Sequence, residues 1–139
     1  MTNPFELTAT EAIKLIGNNK LSRYEWVQSC FERIREKEDV IKAWVYLDED
    51  IALEKAKQLD NKNNKSQLGI PFGIKDIIDA SNTPTGFGTN FYQNNVPMRD
   101  AASVAVAKQS GCIFIGKTVS TELGHRAPGL TTNPHNKDF

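Results

Sequence analysis

Lys75 is the residue of this sequence with the clearest potential for chemistry. It lies within the run LGIPFGIKDIID, residues 68–79, whose apolar side chains offer little solvation for a charge. Burying an ammonium is costly unless the group is paired or loses its proton. A lysine that loses its proton becomes a base that works near neutral pH. The alternative is a strand whose lysine reaches water at one end, and this segment alone favours that alternative.

A second lysine lies in the segment GCIFIGKT, residues 111–118, which satisfies the phosphate-loop pattern GxxxxGK[ST]. A phosphate loop requires a strand before its first glycine and a flexible loop between the two glycines. Here a helix is predicted before Gly111, and an apolar strand is predicted between the glycines. Nucleotide binding is therefore not expected. Gly111 is expected to end the helix, and Gly116 to turn the chain at the strand end.

Metal and cofactor chemistry are not expected either. His125 and His135 have no second imidazole or thiolate at ligand spacing. Cys30 and Cys112 lack a CxxC spacing and lie among apolar residues, so they are expected to be small buried hydrophobes without a disulfide. Glu122 follows an apolar strand, at a position where active-site groups of α/β proteins often lie.

The composition is that of one ordinary globular domain. The chain has 139 residues, of which 39% are hydrophobic and 24% are charged. Seventeen basic residues balance 17 acidic ones, so no excess charge points to nucleic acid or to an anionic membrane. No apolar run is long enough to span a bilayer, and the N-terminus lacks the features of a signal peptide. A cytoplasmic location is the expectation.

Three helices are predicted in the first 60 residues. Thr8 and Glu11 form a capping box for a helix that stops at Gly17. Ser22 and Glu25 repeat this pattern for a longer helix, which is expected to end in a solvated charged turn at residues 35–39. Its apolar side comprises Trp26, Val27, Cys30, Phe31 and Ile34. The third helix spans about 50–60, with Ile51, Ala52, Ala56 and Leu59 on its apolar side.

The remaining segments are rich in strands and loops. Strands are predicted at residues 43–47, 72–78 and 112–115, the last of the parallel kind. A polar loop is predicted at 61–67 and a constrained loop at 81–88. Asp100 is expected to cap a small helix over 101–107 that is buried on several sides. The order, helical over 1–60 and α/β over 68–139, predicts one α/β domain in which helices cover the first strands of a mixed sheet.

Long stretches of the sequence resemble the amidase signature family of serine hydrolases. The likeness runs from about Leu7 to Pro134, nearly the whole chain. Its most specific parts, in combination, are GIPFGIKDIID and the run from Asp100 through GKT to Glu122-Leu123-Gly124. The matching text is LTATEAIKL, LSRYEWVQSCFERI, AWVYLDEDIALEKAKQLD, LGIPFGIKDIIDASNTPTGFGT, PMRDAASVAVAKQSGCIFIGKTVSTELG and TTNP.

This resemblance implies a fold, a reaction and a role for Lys75. The fold would be a twisted mixed sheet covered by helices on both faces, of which this chain supplies the first part. The reaction would be amide hydrolysis by a Ser–cis-Ser–Lys triad. In such a triad the neutral lysine takes a proton from a serine in a cis peptide, and that serine relays to the nucleophilic serine. Lys75 stands where the family has its lysine.

The resemblance also implies where a small-molecule amide would bind. The loop after the lysine strand is expected to border the substrate pocket through Thr85, Gly86, Phe87, Gly88 and Thr89. Ser120 is near this region but matches neither serine of the triad. Backbone N–H groups would stabilise the oxyanion.

The two serines of the triad have no counterpart in this sequence. In the family they lie in a Gly/Ser-rich segment that follows the motif seen here as TTNP, residues 131–134. The chain is therefore expected to be the N-terminal part of an amidase, carrying only the lysine and inactive alone. A non-catalytic remnant or a partner-binding module of the same fold remains an alternative. Exposed sheet edges predict self-association, a domain swap or a complementing segment.

Overall fold

Helices make up most of the first half of the chain, and three short strands are spaced widely along its length. The computed structural model describes residues 3–62 and 67–136, so most of the predicted polar loop at 61–67 lies outside the described residues. The helices are α1 Ala9–Gly17, α2 Arg23–Ile41, α3 Glu49–Asn61 and α4 Ala102–Gln109. The strands are β1 Trp44–Leu47, β2 Pro71–Lys75 and β3 Ile113–Thr118.

The three strands form one mixed sheet in the order β1-β3-β2. β1 pairs with β3 antiparallel, and its register matches Tyr46 to Lys117 and Leu47 to Gly116. β2 runs parallel to β3, because Ile113 N–H donates to Ile70 O and Asp76 N–H donates to Thr118 O. The predicted α/β class, with helices before the first strands of a mixed sheet, is confirmed.

β3 is longer than predicted. The expectation that Gly116 turns the chain at the end of a strand over 112–115 is wrong, because the strand continues through Gly116 and Lys117 to Thr118. A Cβ on Gly116 would contact the backbone oxygen of Tyr46. The glycine therefore lets β1 approach β3 closely. Since the GKT residues lie within a strand, they do not form a phosphate loop.

β2 is shorter than predicted and ends at Lys75, not at Ile78. Beyond it the chain turns, and Ile78 N–H donates to Lys75 O at 3.0 Å. The apolar residues after Lys75 misled the prediction, since an apolar run does not distinguish a strand from a buried turn.

Both predicted capping boxes are confirmed. Thr8 N–H donates to the Glu11 carboxylate at 2.8 Å, and Glu11 N–H donates to Thr8 Oγ1. Ser22 and Glu25 make the same reciprocal pair. The predicted charged turn at 35–39 is wrong, because α2 continues to Ile41. Residues 35–38 are good helix formers, which outweighs their polarity.

Three predictions of burial are wrong. In α4 only Val104 is buried, and 62% of Val106 is exposed, so this helix is not enclosed on several sides. In α3, Ala52, Ala56 and Leu59 are buried as predicted, but 68% of Ile51 is exposed. Cys30 and Cys112 are free but only partly buried. Burial raises the pKa of the Cys30 thiol to about 11 and also raises the pKa of Cys112.

The chain divides into two compact units with different interiors. The first unit comprises 1–36, 48–72 and 107–115. Its buried side chains are mostly apolar: Ala12, Trp26, Val27, Phe31, Ala52, Ala56, Leu59, Ile113 and Ile115. The second unit comprises 37–47, 73–106 and 116–139. Its buried side chains include a polar group: Asp76, Thr83, Thr85, Lys117 and Ser120.

No helix within the described parts of the chain combines the length and the apolar character needed to cross a membrane.

Candidate active site

Lys75 is the last residue of β2, and its side chain is exposed. Its neighbours Ile74 and Asp76 are buried, as expected where successive side chains point to opposite faces. The apolar segment therefore does not enclose Lys75 in this chain. The alternative, a lysine that reaches water at the strand end, describes its position. The alternation also directs the Asp76 side chain away from that of Lys75.

The buried lysine of this region is Lys117, whose side chain is 0% exposed. Its Nζ donates to Ile78 O at 2.7 Å and to Thr85 Oγ1 at 2.7 Å. The carboxylate of Asp76 lies 3.6 Å from the same nitrogen. Desolvation lowers the pKa of Lys117, and the negative charges of Asp76 and Asp79 oppose this effect. Lys117, and not Lys75, is thus the lysine of this region that the fold removes from water.

Asp76 joins the end of β2 to the predicted substrate loop. Both oxygens of its buried carboxylate accept from Gly86 N–H, at 3.0 and 3.1 Å. Its backbone oxygen accepts from Phe87 N–H, and its own N–H donates to Thr118 O. One residue therefore holds the loop against the strand pair.

The predicted substrate loop has a buried inner part and a more exposed outer part. Thr85 is fully buried, whereas Gly88 is exposed and Thr89 is half-buried. Gly88 has φ +65°, and a Cβ there would lie 2.6 Å from Ser120 O. Glycine is thus required both for the backbone conformation and for the close approach.

Two non-glycine residues with positive φ meet beside this loop. Phe87 has φ 55° and Leu123 has φ 49°, and Leu123 N–H donates to Phe87 O at 2.8 Å. Such conformations are costly for bulky residues and persist where the surroundings enforce them. The Phe87 ring also packs edge-on against Tyr92, with centroids 5.2 Å apart. Contacts on both sides hold this strained part of the loop.

A cavity of about 750 Å³ opens next to the loop. Of the five predicted substrate-binding residues, Gly86, Gly88 and Thr89 line it, while Thr85 and Phe87 do not. The lining residues that the structure describes do not include Lys75, but they include its neighbour Asp76. The remaining lining residues are Lys42, Trp44, Val45, Tyr46, Pro84, Asn90, Gln93, Val119, Ser120, Glu122, Ala127, Pro128, Gly129 and Leu130.

Ser120 and Glu122 both reach this cavity, as their position after the apolar strand predicted. Ser120 Oγ donates to Thr121 O at 2.8 Å. Glu122 N–H donates to Ala127 O, which closes the turn that holds the carboxylate at the rim. Within residues 3–62 and 67–136, no group of three or more His, Cys, Asp or Glu side chains could hold a metal ion.

The TTNP motif is anchored near the same cavity. Thr131 Oγ1 donates to Lys42 O at 2.8 Å, and Thr132 Oγ1 donates to Val40 O at 2.9 Å. Thr132 N–H also donates to Ile41 O. The segment after the cavity residue Leu130 is therefore held on the C-terminal end of α2.

Sequence reasoning missed Lys117 as a site residue, although a signal for it was present. Ile113, Ile115 and Lys117 alternate along β3 and are all buried. Period-two alternation places them on one face of the strand. Extending the CIFI strand by two residues would have placed the lysine inside. The glycine before Lys117 argued against that extension.

Comparisons with known proteins agree on one family. The family model described as amidase matches residues 25–139. The A subunit of a glutamyl-tRNA(Gln) amidotransferase from Fusobacterium nucleatum subsp. nucleatum is 36% identical over 135 residues, which cover 94% of this chain and 27% of that protein.

Two solved structures with a similar fold are those of amidases. A bacterial aryl acylamidase of the amidase signature family has a TM-score of 0.86 at 24% identity, over 96% of this chain and 30% of that one. A peptide amidase from Stenotrophomonas maltophilia has a TM-score of 0.85 at 24% identity, over 98% of this chain and 32% of that one. The chain thus spans less than a third of the length of each of these three proteins.

Proposed function

Because this chain belongs to the amidase signature family, we propose that it is the N-terminal part of an enzyme that hydrolyses carboxylic amide bonds. In this proposal it supplies Lys75 and one wall of the substrate site, and a further segment supplies the two serines. The observation that carries the proposal is the match over 25–139, which includes the lysine segment and the cavity loop. The low coverage of the relatives supports the need for a further segment.

The proposed chemistry is acyl transfer to water. Neutral Lys75 accepts a proton from the cis-peptide serine, which in turn accepts one from the nucleophilic serine. The nucleophile attacks the amide carbonyl, a C–O bond forms, and the C–N bond breaks as the amine leaves with a proton. Water then hydrolyses the ester of this acyl-enzyme and frees the acid. Backbone N–H groups stabilise the oxyanion in both steps.

The lining of the cavity supports the proposal that this chain forms one wall of the substrate site and that a further segment supplies the serines. Gly86 and Gly88 lie in its wall together with Lys42 and Leu130. Lys42 also binds Thr131 of the TTNP motif, so a segment that continues from this motif starts at the cavity rim. We propose that Gly86, Gly88 and Thr89 contact the small-molecule amide. Thr85 and Phe87 hold the loop in shape.

The exposure of Lys75 supports the proposal that this chain is inactive alone. The side chain of Lys75 faces water and is not enclosed in a site. A segment that packs over the end of β2 would exclude this water. The same segment would bring the serines within reach of Nζ.

A fusion protein tests the proposed function. The chain is joined to the part of the Fusobacterium nucleatum amidotransferase protein that lies beyond the aligned region. Hydrolysis is assayed with acetamide and with 4-nitroacetanilide, an aryl amide suggested by the likeness to an aryl acylamidase. We expect activity in the fusion and none in the chain alone.

Two lysine variants of the fusion complete the test. Lys75→Ala is expected to lower kcat by about 10³-fold or more, since it removes the base. Lys37→Ala, at an exposed lysine on α2, is the matched control and is expected to leave activity unchanged. Activity that survives Lys75→Ala would refute the proposed mechanism. A fusion that folds but hydrolyses neither amide would favour the non-catalytic, partner-binding alternative.

A further inference from the structure

We propose that Lys117 is a positioning residue for the proposed reaction. Its buried ammonium fixes the position of Lys75 relative to the substrate loop. This inference rests on the proposed function, because it assigns Lys117 a part in the same site. Lys75 begins the segment 75–86, and Gly86 of the substrate loop ends it. Lys117 binds near both ends.

The first contact fixes the backbone that follows Lys75. Lys117 Nζ donates to Ile78 O at 2.7 Å. Ile78 N–H in turn donates to Lys75 O at 3.0 Å. The lysine therefore holds the last residue of the turn whose first residue is Lys75, and limits the rotation of the strand end that carries the Lys75 side chain.

The second set of contacts fixes the loop. Lys117 Nζ donates to Thr85 Oγ1 at 2.7 Å. Its other neighbour, the Asp76 carboxylate, accepts from Gly86 N–H at 3.0 Å. Gly86 lines the cavity, so the position of one cavity residue depends on this buried ion pair.

The energetics make this arrangement sensitive to single changes. The Lys117 side chain is 0% exposed and the Asp76 side chain is 6% exposed. Removing one member of a buried pair leaves an uncompensated charge, which is more costly than the pair itself is stabilising. Without Lys117, the Asp76 carboxylate would be a buried charge with no cation beside it and would move toward water, so Gly86 N–H would lose a charged acceptor.

The same facts separate this role from a catalytic one. An ammonium has three N–H donors, and three groups surround Nζ here: Ile78 O, Thr85 Oγ1 and the Asp76 carboxylate. A fully buried nitrogen engaged in this way offers no N–H to a substrate. Lys117 acts through Lys75 and the loop, and not on the reacting atoms.

Amide hydrogen exchange of this chain tests the contacts directly. Lys117→Met keeps the length and apolar stem of the side chain but removes the charge. We expect the Gly86 amide to exchange about tenfold faster or more than in the unchanged protein, since it loses a hydrogen bond to a charged group. The Ala52 amide, which donates to Asp48 O in α3, is the reference for any general loss of stability, and the increase at Gly86 should exceed the increase at Ala52. The matched control, Lys37→Met, should alter neither amide.

An unchanged Gly86 amide in folded Lys117→Met would overturn the inference. If this variant does not fold, Thr85→Val serves instead, because it is nearly isosteric and removes only one acceptor of Lys117. We then expect faster exchange at Gly86, with Ala52 as the reference. No change at Gly86 in Thr85→Val would equally overturn it.

The fusion protein tests the consequence for the reaction. If Lys117 acts through Lys75, Lys117→Met should lower kcat by about tenfold or more with a smaller change in KM. It should also shift the acidic limb of the pH–kcat/KM profile, which reports the base. A loss of active protein alone would lower the rate without moving that limb, and this result would overturn the positioning role. Activity that survives Lys75→Ala would refute the proposed function, whereas the exchange result would still stand.

Discussion

Lys75 and Lys117 carry the same group but lie in opposite environments. Lys75 ends a strand, and its side chain reaches water. Lys117 points inward from the middle strand, and oxygen atoms from three residues surround it. Both lysines follow apolar runs, residues 70–74 and 112–115. Local apolarity therefore does not distinguish the buried lysine from the exposed one, because side-chain direction and neighbouring elements decide burial. The catalytic role of Lys75 remains a prediction.

The pH dependence of stability tests the setting of Lys117. Desolvation lowers its pKa below the ordinary value of 10.5, against the opposing charges of Asp76 and Asp79. Between the lowered value and 10.5, the unfolded chain binds more protons at this site than the folded protein does. The free energy of unfolding should therefore rise with pH across this window through the contribution of Lys117.

Urea denaturation at a series of pH values from about 8 upward measures this effect. The difference in unfolding free energy between the unchanged protein and Lys117→Met should increase with pH toward 10.5. Lys37→Met, at an exposed site, should run parallel to the unchanged protein. A difference that falls with pH would mean that the pKa of Lys117 is raised and not lowered.

At the scale of elements, the pairing of β1 with β3 depends on a glycine. A Cβ at Gly116 would contact Tyr46 O and would lie 3.0 Å from side-chain carbons of Leu47 and Trp44. Tyr46 O belongs to the backbone of the paired strand, so it cannot move aside without disrupting the ladder. The sequence indicated a glycine turn here, and only the pairing partner reveals why the glycine is needed.

Gly116→Ala should lower the free energy of unfolding by about 1–3 kcal/mol, in the range of an overpacked core position. Gly17→Ala is the control, because a Cβ at Gly17 meets nothing within 4 Å. Gly17 lies in α1, where alanine is the better helix former, so this change should be neutral or stabilising by up to about 1 kcal/mol. Chemical denaturation of both variants compares them. Equal stability of Gly116→Ala and Gly17→Ala would show that β1 can move away from residue 116 at little cost in free energy.

At the scale of the whole molecule, the sheet has two edges. β1 and β2 are the outer strands of the order β1-β3-β2, and Val45 and Leu47 of β1 are 53% and 36% exposed. Exposed edge strands with apolar side chains favour pairing with another chain. Self-association thus remains the expectation for this chain when no complementing segment is present.

Val45→Lys should weaken self-association, since a lysine on an edge strand opposes pairing. Ile51→Lys is the matched control: Ile51 is 68% exposed on α3 and lies outside the sheet. Analytical ultracentrifugation and the binding of a hydrophobic dye measure the outcome. A compact monomer that binds no dye would contradict the expectation. Equal effects of the two variants would mean that general charge, and not the β1 edge, controls association.

Local signals in the sequence were enough to predict the capped helices, the α/β class and the family. These features depend on local signals: capping boxes such as Thr8 with Glu11, apolar periodicity, and runs of text shared with relatives. The sequence also indicated the loop of which Gly86, Gly88 and Thr89 line the cavity.

Three features became visible only in the folded chain: which lysine is buried, where β2 and β3 end, and how Asp76 joins the strand to the loop. Each of these depends on a partner distant in sequence. Thr85 lies in a loop before α4 while Lys117 lies in the strand after it, yet the two side chains are 2.7 Å apart. Strand ends follow from the pairing of β3 with its neighbours. A buried charge is stable only where the fold brings compensating groups together. A local sequence pattern does not show which distant groups these will be.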